Sequence, residues 1–175
     1  MPSRGRARSQ SASASAGMTF APSIRTRAEA LDLPDGELRH DRALEESLVE
    51  LLERLRPRTI YHPPVDEMHP DHAAFGAAFL AALARCAASD AAAFAYEIWV
   101  PVVATHVIDV SASWAQKRRA IECHRSQLVY NDYLRAAEGL SAYRSIFLPG
   151  AAHVEAYARN WSSEAAVERQ DVAGN

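Results

Sequence analysis

The densest set of chemically capable side chains is the run Asp66-Glu67-Met68-His69-Pro70-Asp71-His72. His69 and His72 lie three apart, so on a helical turn both imidazoles can face one cavity. A neutral imidazole there can ligate a metal or act as general acid or base. Asp71, between them, can fix one ring's tautomer. The same pattern also describes a capped, solvated helix start, and two histidines at this spacing carry little specificity alone. His72 does begin the stripe Phe75, Phe79, Leu83 at helical spacing, which turns it inward.

Further along, Lys117 and His124 fall on the stripe Trp114, Lys117, Ile121, His124, Leu128. Two polar groups on an otherwise apolar face can line a pocket. The blander alternative is a snorkelling lysine and a histidine satisfied within the core. Cys123 beside His124 is not a thiol–imidazole pair, because adjacent helix positions do not face each other. Ser126 lacks the glycine frame of a nucleophile elbow. Phe94, Tyr96 and Trp99 read as core, His106 as a packed or surface strand residue, and Asp66 as a turn residue that can also shape the histidine loop.

These residues need elements to position them. Leu33-Pro34-Asp35-Gly36 has turn chemistry, with proline fixing φ and glycine allowing a positive one. Asp41 can cap a helix whose leucines 44, 48, 51, 52 and 55 follow helical spacing to about Arg56, and Pro57 ends it. Residues 58–62 (RTIYH) read as a short buried strand, and His69-Pro70 opens a helix to about Cys86 with proline at its first position. Strands follow at 94–100 and 105–110, helices at about 113–128 and 131–143, and a short strand at 153–157. This α/β alternation predicts a mostly parallel sheet flanked by helices. The histidine cluster then sits after a strand and at a helix start. Open α/β sheets bind ligands at strand C-termini, and free helix N–H groups favour oxyanions.

Composition narrows the classes. A chain of 175 residues, 49% hydrophobic and 23% charged, is one globular domain's worth. Its seven glycines include no pair spaced for a phosphate loop or dinucleotide fingerprint, and the apolar stretch 73–84 is too short for a transmembrane span. Residues 1–27 hold five of the 19 basic residues and no acid, which leaves 14 against all 22 acids in the rest. So acidic a body has no footprint for nucleic acid. Two distant cysteines, with no secretory signal, imply a reduced, cytoplasmic setting without a cysteine zinc site. Residues 1–27 read as a disordered tail, a mistaken gene start or a transit-type peptide, residues 28–165 as the domain, and 166–175 as a flexible tail.

Taken in order, the motifs resemble a known family. His69-Pro70-Asp71-His72 after a strand and a proline loop resembles the second signature of the LmbE/PIG-L N-acetylglucosaminyl deacetylases. Residues 30–38 (ALDLPDGEL) are similar to that family's L-x-L-P-D-G-x-L segment. Tyr96-Glu97-Ile98-Trp99, residues 105–111 (THVIDVS), Lys117, His124-Arg125-Ser126-Gln127 and Glu155-Ala156-Tyr157 follow in the family's order. The resemblance covers about residues 28–160.

It implies a Rossmann-like fold and hydrolysis of the N-acetyl group of a glucosamine-type sugar with Zn2+. His72 would be a metal ligand. His69 would steady the oxyanion or protonate the leaving amine, Asp71 would orient it, and Lys117 and His124 would meet substrate. The metal would polarise the acetyl carbonyl and acidify its water. The family's opening AHPDDE-type motif, source of two more metal ligands and the general base, has no counterpart in residues 1–68. His40 stands in Arg39-His40-Asp41, and His62 in Tyr61-His62-Pro63-Pro64. The chain therefore reads as a truncated version of the fold with an incomplete zinc site. Two functions stay open: a deacetylase completed by a further segment or another chain, and a non-catalytic remnant or binding module. A sheet without its first strand exposes an edge, which a homo-oligomer could cover.

Overall fold

The computed structural model describes residues 29–86 and 91–161. The expectations for residues 1–27 and 166–175 lie outside the described residues. The chain divides into Met1–Ala30 and Leu31–Asn175, and the fold is that of the second unit.

Helix α1 spans Arg42–Leu55, and the Asp41 side chain caps it by accepting from the Leu44 N–H at 2.9 Å. It ends at Arg56, which takes a left-handed φ of 43°, and Pro57 prevents continuation. Strand β1, Thr59–His62, leads through a proline loop into α2, Pro70–Arg85, which begins on proline as expected. Strand β2, Ala92–Tyr96, lies parallel to β1, with His62 paired to Ala95. Strand β3 covers His106–Asp109. Helices α3 (Trp114–Glu122), α4 (Arg125–Leu128) and α5 (Tyr133–Arg144) follow, then a 3-10 turn at Ser145–Phe147 and strand β4, Val154–Trp161.

The sheet order is β1-β2-β4-β3. Strand β4 runs antiparallel to both of its neighbours, so β1, β2 and β3 share one direction and β4 opposes them. The α/β class holds, and the sheet is mostly but not purely parallel. On one face α1 and α2 pack through Leu44, Leu48, Phe79 and Leu83 onto Ala93 and Ile60. Each buried leucine there contributes about 2 kcal/mol. Ala78, Ala82 and Ala93 are fully buried, and their small size lets the helices sit close to the sheet.

Several boundaries differ from the sequence reading, β4 for one running to Trp161 rather than ending at 157, and two of them bear on the site. Strand β2 stops at Tyr96 rather than running to Val100, and within that stretch the amide of Trp99 bonds the Glu67 carboxylate instead of a neighbouring strand. The helix expected over 113–128 breaks at Cys123–His124, where His124 has φ −82° and ψ 55°. Among the described residues no helix is long and apolar enough to cross a membrane.

Candidate functional site

From the end of β1 the chain passes closely over α2. A Cβ on Gly76 would lie 2.6 Å from the Pro63 carbonyl oxygen, so only glycine lets loop and helix approach so far. His62 is buried on this side. Its Nδ1 donates to the Pro63 carbonyl at 2.8 Å, and its ring lies 4.7 Å from that of Phe79. Burial lowers its pKa against the opposing pull of that hydrogen bond.

Two carboxylates then fix the loops around the histidines. Glu67 is buried. Its Oε1 accepts from the Met68 N–H at 2.7 Å and its Oε2 from the Trp99 N–H at 3.2 Å, which ties the loop after β1 to the loop after β2. Glu97 accepts from the Val102 N–H at 3.0 Å and pairs with Arg144, which also donates to the Val102 carbonyl at 2.9 Å. Both side chains of that pair are more than nine-tenths buried. Held at both ends, the loop sets Trp99 edge-on to His69, centroids 5.6 Å apart, with Tyr133 parallel to the indole at 6.5 Å. Trp99 is 45% exposed, so it forms part of a site wall and is not the core residue the sequence suggested.

His69 and His72 do come together, their rings stacked at 4.6 Å. The Nδ1 of His69 accepts from the Asp71 N–H at 3.2 Å, which puts the proton of the neutral ring on Nε2. Asp71 therefore orients His69 through its backbone amide and not, as expected, through its carboxylate. That carboxylate accepts from the Gly36 N–H at 2.7 Å and the Leu38 N–H at 3.1 Å. The left-handed turn at Gly36, φ 78°, presents those amides, so the LPDG and HPDH segments form one hydrogen-bonded unit.

The Nδ1 of His72 is buried without a hydrogen-bond partner among the described residues. Among those residues no three His, Cys, Asp or Glu side chains gather to hold a metal. Residues 1–28 contain none of these types. A three-ligand zinc site is thus not assembled by the described residues, which offer His72 as one donor.

Lys117 and His124 part company. The Lys117 ammonium sits 2.6 Å from Glu155 Oε1, and the Tyr157 hydroxyl donates to Glu155 Oε2. Burial pushes the Glu155 carboxyl up, but the Lys117 and Tyr157 hydrogen bonds outweigh it and hold the pKa below the usual range. Burial and Glu155 push the Tyr157 phenol up. These three residues line a cavity of about 310 Å³ with Tyr61 and Ser141. His124 does not line it. The helix break leaves it exposed, so it is not the core histidine of the blander alternative. Arg144 and Tyr133 were not singled out from sequence, and Glu67 and Glu97 only within motifs. The available signal was an acid inside an apolar stretch, which must find a partner if buried.

Comparison with known proteins follows the same lines. The model of the PIG-L family, GlcNAc-PI de-N-acetylase, matches residues 3–83. No curated protein matches. Among solved structures, the conserved protein TT1542 from Thermus thermophilus is similar with TM-score 0.63 and 27% identity, over 74% of this chain and 63% of that one. The N,N′-diacetylchitobiose deacetylase of Pyrococcus horikoshii, solved with its inhibitor, has TM-score 0.63 and 18% identity, over 73% of this chain and 55% of that one. The 4-carboxy-2-hydroxymuconate hydratase of Pseudomonas putida KT2440 has TM-score 0.60 and 17% identity, over 74% and 63%. The chain spans less than two thirds of each of these proteins. The last two likenesses show the fold alone, and they join a deacetylase to a hydratase, so fold does not choose the reaction.

Proposed function

We propose that this chain, which carries the PIG-L pattern over residues 3–83 and the fold of its deacetylases, serves hydrolysis of the N-acetyl group of a glucosamine-type sugar. Water adds to the acetamide carbonyl, the C–N bond breaks, and acetate and an amine leave. The observation that carries this reading is the locked tautomer of His69. With Nδ1 engaged by the Asp71 amide, Nε2–H is a preset donor for a developing oxyanion or leaving amine. The edge contact of Trp99 with the His69 ring, centroids 5.6 Å apart, gives the site one wall. PIG-L proteins are generally metal-dependent, and zinc when bound would polarise the carbonyl. The described residues supply one donor, His72, and no step is assigned to the metal here.

That single donor favours a second reading, a module that binds the sugar without turning it over. One assay separates them: the full chain with added zinc and N,N′-diacetylchitobiose, followed by acetate release and appearance of primary amine. Hydrolysis that falls about 10²–10³-fold in His69→Ala supports the enzyme. Sugar binding without acetate release supports the module, and neither binding nor release removes both.

A further inference from the structure

The indole of Trp99 has more face to offer than the histidines use. It meets His69 edge-on, and it lies within 5° of parallel to the Tyr133 ring, centroids 6.5 Å apart. Rings in full face-to-face contact sit at about 3.5–4 Å. At 6.5 Å neither ring covers the other, so each keeps part of a face open. Trp99 is 45% exposed, which puts its open face within reach of a ligand.

Both rings are held before any ligand arrives. Glu67 binds the Trp99 amide at 3.2 Å. Tyr133 opens α5, where its amide donates to the Asn131 carbonyl at 2.9 Å and its hydroxyl accepts from the Asn131 side-chain amide at 3.2 Å. The Arg144–Glu97 pair fastens the far end of α5 to the loop that carries Trp99. Two parallel faces therefore stand fixed beside His69, and such preorganisation cuts the entropy lost on binding.

Shape and chemistry select the occupant. A flat ring can lie along two parallel planes and touch both. A puckered ring, with substituents standing up on either side, cannot match the two at once. Indole and phenol faces are electron-rich and apolar, which favours another aromatic ring. The Met68 amide shares the Glu67 carboxylate with that of Trp99, and its side chain is 75% exposed. An uncovered thioether thus stands on the adjoining loop, and sulfur favours aromatic edges.

We propose that Trp99 and Tyr133 form a clamp for a planar aryl or heteroaryl group that the N-acetylated substrate carries beside its acetamide. The inference rests on the reading of the His69 site given above, because it names the group next to the bond that site would break.

The phenyl, cyclohexyl and methyl β-glycosides of N-acetylglucosamine test it, their affinities for the full chain measured by saturation-transfer NMR titration. Phenyl and cyclohexyl are alike in size and differ in flatness and π-character. The phenyl glycoside should bind about tenfold tighter than the methyl one, the gain expected of two ring stacks, with cyclohexyl close to methyl. That phenyl-to-methyl ratio should fall about threefold or more in Trp99→Leu and in Tyr133→Leu. It should recover in Tyr133→Phe, which keeps the ring and loses only the Asn131 bond. The thermal midpoint of each variant shows that it is folded, and because each ratio is taken within one protein, a uniform loss of affinity does not alter it. A cyclohexyl glycoside that binds as well as the phenyl one overturns the clamp. So does a ratio that survives both leucine variants, or no binding of any of the three at tens of millimolar. Acetate release is followed in parallel: a phenyl preference without release defeats the hydrolytic reading and keeps the clamp, and release without a phenyl preference does the reverse.

Discussion

A carboxylate and a guanidinium shut away from water are stable only as partners, and Glu97 with Arg144 shows what such a pair can organise. The pair fastens the Val102 amide and carbonyl, and so the loop that carries Trp99 to His69. Removing one member strands the other. Arg144→Met should cost about 3–5 kcal/mol of unfolding free energy, and Arg144→Met with Glu97→Leu clearly less, since no buried charge is then left alone. Urea unfolding of the two variants checks this, and a double variant as unstable as the single one would refute it. At this scale the sequence disclosed chemistry better than partnership. The proximity of His69 and His72 follows from helical spacing. The Asp71 carboxylate does not follow, because its amide donors lie 33 and 35 residues away. Nothing local in HPDH says that its aspartate belongs to the LPDG turn.

Elements were legible where punctuation was strong. Asp41 and Pro57 bracket α1 and Pro70 starts α2, each by a local mechanism that needs no tertiary partner. Boundaries failed where distant side chains won. Glu67, 32 residues away, captures the amide of Trp99, which ends β2 early inside an apolar run that looked like continuous strand. Gly76 went unremarked as well, for its role is visible only once the proline loop lies on α2. Gly76→Ala should gain about 1 kcal/mol of helix propensity and lose more to overpacking. The obstruction is a backbone oxygen at 2.6 Å, and no side chain can swing aside to relieve it. A lowered thermal midpoint is the expected result, together with altered imidazole resonances of His69 as the loop is displaced. An unchanged or raised midpoint would mean that the loop yields freely.

For the molecule as a whole, the α/β class could be read from alternation, and the resemblance supplied the relatives. The insertion of β4 between β2 and β3 could not be read, because those pairings join residues roughly 45 to 70 positions apart with no hairpin between them. Global stability depends on a residue that no motif flagged as structural. His62 is about 1% exposed, with its pKa lowered from 6.5 chiefly by burial. Its neutral form is therefore favoured in the native state, while the unfolded chain takes up a proton below about pH 6.5. Stability from His62 is whole above that pH and is lost as pH falls through 6.5 toward the folded value. Glu155, whose folded pKa is lowered, contributes stability above the ordinary carboxylate range that disappears at still lower pH. Acid should thus weaken the protein in two stages. The urea midpoint of the native chain should fall between about pH 7.5 and pH 5.5, a window above the carboxylates. In His62→Asn, which keeps a donor for the Pro63 carbonyl without a titrating ring, that fall should shrink, while the second stage near pH 4 and below, about where carboxylates titrate, should persist. An undiminished first stage in His62→Asn would assign it to other histidines and remove His62 from the account.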